Sequence, residues 1–297
     1  MNRFFGLTVV LLLGALALPR VSPAAPTGMV ELLNLTGGRQ TAMGETTSLF
    51  DRDPFNLEYN PAAIVGLSKG QAGFCYTSLI QDRTTSTVAL IFPIKGIDFG
   101  VHARLSSTGD IEARGETPTS APEYLFSAHD FALRAYAAKR ITPRLQAGVS
   151  AGWLMEKIDI YRANAVALGA GMIYLWDFGL AAHGAVANAG PQFTFRTEKN
   201  QPPTIYRAGI GFHRDQLTVN ADYVSIKSGD SHIHFGAEYL LQQALFLRAG
   251  WQTGYDSRNF SAGAGFIYDM LRIDYAFVPY SSDLGNVHRF TLTIAFR

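Results

Sequence analysis

Ile97-Asp98-Phe99-Gly100-Val101-His102-Ala103-Arg104-Leu105 decides the fold. Apolar side chains fall on the odd positions, and Asp98, His102 and Arg104, with Gly100 among them, fall on the even ones. Successive side chains of an extended strand point to opposite faces. This stretch therefore has one apolar face and one charged face. The period is two, whereas an amphipathic helix would repeat near 3.6.

The same period continues along the chain. Leu145, Ala147, Val149, Ala151 and Trp153 alternate with Gln146, Gly148, Ser150 and Gly152. Leu217, Val219, Ala221 and Tyr223 oppose Thr218, Asn220 and Asp222, and Phe290, Leu292, Ile294 and Phe296 oppose Arg289, Thr291, Thr293 and Ala295. About fourteen such segments follow one another from residue 70 onward, among them 96–107, 127–139, 144–155 and 161–175. Each is near the ~9–11 residues that a tilted strand needs to cross a bilayer. Short connections such as Thr142-Pro143 and Asp269-Met270 mix with longer ones, Thr108 to Phe126, Ala189 to Pro202 and Tyr280 to Asn286, in incomplete alternation.

Composition agrees with the pattern. Of 297 residues, 47% are apolar and only 16% charged, against about a quarter charged in ordinary soluble domains. A mean hydropathy of +0.07 is too low for a bundle of membrane helices. A formal net charge of +1 offers no basic patch for nucleic acid. The expected fold is all-β: a transmembrane antiparallel β-barrel of about 14 strands, in a bacterial outer membrane and in contact with its lipid. Hydrocarbon cannot satisfy a free sheet edge, so a spanning sheet must close.

On that reading Asp98, Arg104, Arg207, Asp222, Glu238, Arg248, Arg272, Asp274 and Arg289 face the lumen as a charged network. Facing lipid instead, an Arg or Lys at the bilayer midplane would cost roughly 2–4 kcal/mol. Tyr161, Tyr174, Trp176, Tyr206, Tyr239, Trp251, Tyr255 and Tyr268 lie near strand ends and suit interfacial girdles. A soluble β-sandwich is the competing fold, but it rarely needs so many long two-faced strands.

The N-terminus reads differently. Arg3, the apolar run Phe4 to Leu18, and Ser22-Pro23-Ala24 match a secretory signal peptide cleaved after Ala24. The run is short of the ~20 residues of a membrane-anchor helix, the other reading of it. Residues 25–69 lack strict alternation and contain Gly37-Gly38, Gly44, Pro54 and Pro61. They are expected to form a hatch inside the barrel or across one mouth, with a short helix around Glu31 to Leu35, before a barrel over 70–297. Cys75 is alone, which excludes an intramolecular disulfide.

Candidate chemistry is sparse. His232 and His234 share a strand face with Glu238 and could bind zinc, although a hydrated lumen network fits the spacing better. Gly169-Ala170-Gly171, Gly209-Ile210-Gly211 and Gly263-Ala264-Gly265 sit within strands without a following helix, so they are no dinucleotide loop. Small residues facing a crowded lumen explain them. No HExxH motif occurs. The reading is non-enzymatic, with no catalytic residue, metal or cofactor.

Gly38-Arg39-Gln40-Thr41-Ala42-Met43-Gly44, then Asp51-Arg52-Asp53-Pro54-Phe55-Asn56-Leu57-Glu58-Tyr59-Asn60-Pro61-Ala62, and finally Leu284-Gly285-Asn286-Val287-His288-Arg289-Phe290 resemble the two ends of PorV/PorQ proteins, within the wider FadL-like group of outer-membrane barrels. The resemblance implies fourteen strands and a lumenal hatch whose motif residues are Gly38, Met43, Gly44, Asn60, Pro61 and Ala62. The sequence departs from the pattern at Glu45-Thr46-Thr47, where small residues are commoner, and at the non-aromatic last residue, Arg297. A PorV/PorQ-like protein would assist type IX-like secretion or surface assembly, with secreted proteins or secretion components as partners. A FadL-like protein would conduct hydrophobic small molecules such as fatty acids or aromatics. The first is the preferred expectation from sequence and the second the alternative. An outer-membrane enzyme, with a Ser–His pair at membrane level, ranks last.

Overall fold

The computed structural model describes residues 27–117, 119–227, 229–281 and 284–296. The signal-peptide reading of residues 1–24 lies outside the described residues. Fourteen strands form one closed antiparallel barrel: β1 (Gly70–Ser78), β2 (Thr84–Ile94), β3 (Ile97–Ala113), β4 (Tyr124–Arg140), β5 (Leu145–Ile158), β6 (Tyr161–Leu175), β7 (Leu180–Ala189), β10 (Ile205–Arg214), β11 (Leu217–Ile226), β12 (Ser231–Leu241), β13 (Leu245–Gln252), β14 (Phe260–Tyr268), β15 (Leu271–Pro279) and β16 (Asn286–Phe296). A separate hairpin, β8 (Phe193–Phe195) and β9 (Glu198–Asn200), leaves the sheet between β7 and β10. Barrel strands pair in chain order, and β16 closes on β1 with Gly70 opposite Phe296. Closure excludes the open sandwich.

The connections alternate only in part, because the two-residue turn 159–160 between β5 and β6 lies on the rim of the longer connections. One rim carries only turns of two to four residues, at 95–96, 141–144, 176–179, 215–216, 242–244 and 269–270. The other carries the longer connections, including 114–123, 190–204 and 253–259. The supposed loop Thr108 to Phe126 is shorter, because 108–113 and 124–126 belong to β3 and β4. A register shift between Thr108 and Ile111, with Asp110 at φ 52°, interrupts the alternation, and the ladder then resumes to Ala113. With 17, 17, 14 and 15 residues, β3 to β6 stand taller at the long-loop rim than the other barrel strands, which have eight to eleven.

Polarity is inverted relative to a water-soluble protein. Outward side chains include exposed Val101, Leu133, Val149, Val166, Phe235 and Leu247. Inward ones include buried Asp98, Arg104, Arg207, Asp222 and Asp274. A soluble monomer rarely exposes a continuous apolar belt, whereas a barrel in hydrocarbon requires one. No helix among the described residues is long and apolar enough to cross a membrane.

The lumen is filled by the segment before β1. It folds as a 3-10 turn (Val30–Leu33), where a helix over Glu31 to Leu35 was expected, then the short helix α1 (Gly38–Ala42) and two further 3-10 turns, Pro54–Glu58 and Pro61–Ile64. Two of these turns start on matched signals. The carboxylate of Asp53 accepts from Phe55 N at 2.9 Å and the amide oxygen of Asn60 accepts from Ala62 N at 2.9 Å, each with proline next in the chain. Asn56 ties the segment to itself: its Oδ1 accepts from Gln40 Nε2, and its Nδ2 donates to the carbonyls of Ser48 and Asp51.

Candidate functional site

The hatch and the wall are complementary in charge. Residues 27–65 contain five acids (Glu31, Glu45, Asp51, Asp53, Glu58) and two arginines, whereas the nine charged wall residues named from sequence are five arginines and four acids. Seven of those nine bond to the hatch. Glu238 holds Arg39 through two bonds, at 2.8 and 2.6 Å. Arg272 lies between Asp51, Asp53 and Asp274. Arg104 reaches Glu58 and the carbonyls of Asn34 and Glu31. Arg207 donates to the Glu45 carbonyl at 2.7 Å, Arg289 to the Leu35 carbonyl at 2.5 Å, and Asp98 accepts from Gly66 N at 2.7 Å. Asp222 accepts from both Thr47 N and Thr47 Oγ1. The remaining two, Arg248 and Asp274, pair with each other at 2.7 Å and extend the network along the wall, where Arg248 also meets Glu238.

Sequence reasoning missed the hatch half of these pairs. Arg39, Asp51 and Glu58 lie inside the quoted motif stretch but were read only as pattern. Glu58 is the hub of one cluster, with Arg104 and Arg134 both 3.2 Å from Oε1 and Thr36 Oγ1 donating to Oε2 at 2.6 Å. Burial alone would raise the Glu58 carboxyl, but His102, Arg104, Arg134 and the Thr36 hydroxyl outweigh it and hold it well below the usual carboxylate range. Burial likewise raises the Glu45 carboxyl, but neighbouring cations, Arg258 foremost, outweigh it and lower it. Both groups have folded values below their unfolded ones. Their stabilisation is therefore complete above the ordinary carboxylate pKa and is lost only as pH falls through the lowered folded values.

The departures from the family pattern are used as bonds. Glu45 takes Arg258 at 3.2 Å, tying the hatch to a long-rim loop, and Thr47 takes Asp222.

Asn60-Pro61-Ala62 does not sit where the chain enters β1. It crosses the lumen to β5, β6 and β7. Asn60 Nδ2 donates to the Met172 carbonyl at 3.3 Å and the Gly184 carbonyl at 3.4 Å, so it reads the backbone of two adjacent strands. A Cβ on Gly171 would lie 2.0 Å from Asn60 Oδ1, and one on Gly148 would lie 2.6 Å from the Pro61 carbonyl carbon. Gly148 and Gly171 are thus seats for the hatch. At Gly250 a Cβ would fall 1.9 Å from Gly44 N, while Gly44 itself needs φ +68° and lies with Met43 against Gly236. Gly250→Ala is therefore expected to push two backbones apart and cost about 1–3 kcal/mol or more. A lowered unfolding temperature in detergent checks this.

An apolar cluster is packed at the long-loop mouth. Met29 and Leu32 of the hatch, Leu154 of β5 and the alanines Ala132, Ala163, Ala165 and Ala167 bury the ring of Phe193, brought in by the β8–β9 hairpin. Arg196 stacks over Tyr161 at 4.2 Å beside it. Below the cluster, a crevice holding about 10 Å³, space for about one water, runs past Leu35, Leu57, Glu58 and Arg134. Ala167 lines both. The same crevice is lined by Leu168 and Val186 of the wall, and Leu168 is 56% exposed on the outside. Here the ladder slips: Ala170 pairs with Val186 but Leu168 with Ala189, so Gly169 faces two residues, Ala187 and Asn188. Asn188 has φ 58°. This is a β-bulge at the long-rim end of the β6–β7 ladder.

With that geometry in place, the comparisons are informative. No family model matches the sequence, and no curated protein does. Solved structures match along nearly the whole chain. The CymD monoaromatic hydrocarbon channel superposes with a TM-score of 0.67 at 13% identity, covering 91% of this chain and 99% of that one. The P. putida toluene transporter TodX gives 0.66 at 11% identity, covering 88% and 99%. A Pseudomonas aeruginosa FadL homologue gives 0.61 at 13% identity, covering 88% and 98%. The fold is shared with hydrocarbon channels. At these identities the likeness shows the fold alone. The wider expectation, a FadL-like barrel, agrees with these structures, whereas the narrower PorV/PorQ assignment gains no support from them.

Glu238 bonds Arg39 and Arg248, and the candidate zinc ligands His232 and His234 meet the Thr253 carbonyl and the Tyr255 hydroxyl. Two sequence expectations change. Tyr255 is not in an outer girdle, because it turns inward and stacks on His232 at 3.8 Å; Tyr161 likewise lies on the inward row of Ala163, under Arg196. A Ser–His contact does exist on the outward face: His129 meets Ser107 Oγ and Ser127 Oγ, each at 3.0 Å. Both ring nitrogens face hydroxyls, and no carboxylate is bonded to the ring to stabilise an imidazolium as a serine hydrolase triad requires.

Proposed function

We propose that this chain is a bacterial outer-membrane conduit for hydrophobic small molecules, and not an enzyme. Molecules pass the apolar cluster at the long-loop mouth, which must part to admit them, and leave sideways through the wall at the β6–β7 bulge. The observation that carries this reading is the shared residue Ala167, which joins the cluster to a crevice also lined by the outward-exposed Leu168. The path runs past the Glu58–Arg134 ion pair that lines the crevice. It is narrow at the crevice, so passage requires the hatch or the bulge to give way. The fold shared with hydrocarbon channels supports the same reading.

The secretion reading has one observation in its favour, a plugged lumen. It also calls for long surface loops, and the longest connection, 190–204, folds back over the mouth as the β8–β9 hairpin. The conduit is the better supported of the two.

Cells carrying the chain in their outer membrane are expected to take up radiolabelled toluene or oleate faster than empty-vector cells. Ala165→Trp should block the mouth at this cluster and return uptake to background at an unchanged level of folded barrel. Equal uptake with and without the chain, for both probes, would sink the conduit. A secreted protein held on the loops of such a barrel would then favour the secretion role.

A further inference from the structure

Going up the outward face of β3 to β6, the apolar rows end abruptly. The row Ala103, Leu133, Trp153, Val166 is followed by Leu105, Phe131, Met155, Asn164, and then by Ser107, His129, Lys157, Arg162. In that last row Lys157 is directly opposite both His129 and Arg162. Like charges directly opposite on neighbouring strands are destabilising, and sheets ordinarily place an acid between them. Here none is present. Neither Lys157 nor Arg162 takes part in an ion pair among the described residues, and Arg162 bonds only the amide oxygen of Asn164, at 3.3 Å. The nearby acids are engaged elsewhere or unpaired with this row: Glu156 points inward and accepts from Met29 N, Asp159 accepts from Tyr124 OH, and Asp110 sits in the bulge above. Both cations are exposed.

We infer that this row is a binding site for the phosphate of a lipid headgroup in the leaflet at the long-loop rim. The inference rests on the outer-membrane placement proposed above but not on conduction. An anion supplies the charge that the sheet lacks at Lys157 and Arg162. A planar guanidinium and a flexible ammonium about 5 Å apart across one strand spacing can share the oxygens of one phosphate. The Ser107 and Ser127 hydroxyls, held by His129, extend the polar strip beside them. Acyl chains of the same lipid lie down the apolar rows, over Phe131 and Trp153, whose rings pack edge to face at 5.6 Å. A free phosphate ion would gain only the upper half of this site, so the occupant is a phospholipid or phosphorylated glycolipid.

The test is native mass spectrometry of the purified full chain in neutral detergent, titrated with diphosphoryl lipid A. One lipid per chain is expected to be retained. The K157Q/R162Q variant should bind on the order of tenfold or more weakly, since each cation near a charged lipid surface contributes comparably. K139Q/R140Q, at the short-turn rim, should bind like the parent. Dephosphorylated lipid A should not distinguish parent from K157Q/R162Q. Equal affinity of parent and K157Q/R162Q for the phosphorylated lipid would overturn the site. So would displacement by equimolar inorganic phosphate, which would show that the acyl chains contribute nothing. Unchanged insertion of K157Q/R162Q into vesicles keeps a loss of binding distinct from a failure of the membrane reading.

Discussion

Replacing Arg272 by methionine is expected to loosen the hatch and turn a plugged barrel into an ion-conducting one. Arg272 is the single cation that touches Asp51, Asp53 and Asp274 at once. Asp51 keeps Arg39 and Asp274 keeps Arg248 when it is removed, but no other ion pair reaches Asp53. Asp53 is buried, and its other oxygen already caps Pro54–Glu58. Taking one partner from a buried ion pair costs about 3–5 kcal/mol, because the remaining charge is left uncompensated. That exceeds what the neutral contacts of this one turn can absorb, so the hatch should shift before the barrel opens. The barrel ladder itself loses nothing. Single-channel recording in a planar bilayer should show frequent open events in R272M and long silence in the parent. Adding Asp53→Asn removes the orphaned charge and should restore much of the silence. If R272M stays closed, or if R272M/D53N conducts as freely as R272M, the ion pair does not hold the hatch.

The barrel was legible in the sequence because period two is a local property. Ile97 to Leu105 announces its two faces without knowing its neighbours, and the structure puts Asp98 and Arg104 inside and Val101 and Leu105 outside. Local reading failed where the alternation is broken on purpose. At Gly109-Asp110 the bulge hid the upper part of β3, and at Ala187-Asn188 another hid the slip in the β6–β7 ladder. The nine wall charges were legible as lumenal, but their partners were not. Arg39, Asp51 and Glu58 stand in a stretch without periodicity, and only the fold brings Arg39 against Glu238, 199 residues away. The motif Asn60-Pro61-Ala62 could be read as a turn, since Asn before Pro caps locally. That the turn is pressed on β6 and β7 could not, because the seat is made by Gly148 and Gly171, which look like ordinary small strand residues.

Deleting Asn188 is the sharpest challenge to a sideways exit. Asn188 is the extra residue of the β6–β7 bulge, and without it Leu168 and Ala170 fall into one continuous register with β7. The deletion removes the bond from Arg134 Nη2 to Asn188 Oδ1, 2.8 Å long, which is charge-assisted and contributes about 1.5–3 kcal/mol. It also lets ladder bonds form where Gly169 now faces two residues, which offsets part of that loss. The barrel should therefore assemble, and its two walls should meet where Leu168 now lines the crevice. Uptake of toluene or oleate is expected to fall to background. Arg134→Met breaks the same bond but keeps the bulge, so it should preserve most of the uptake and separates the shape of the wall from the charge beside it. Uptake that survives the deletion of Asn188 would move the exit away from β6 and β7, and with it the part assigned to Ala167 as the join between mouth and membrane.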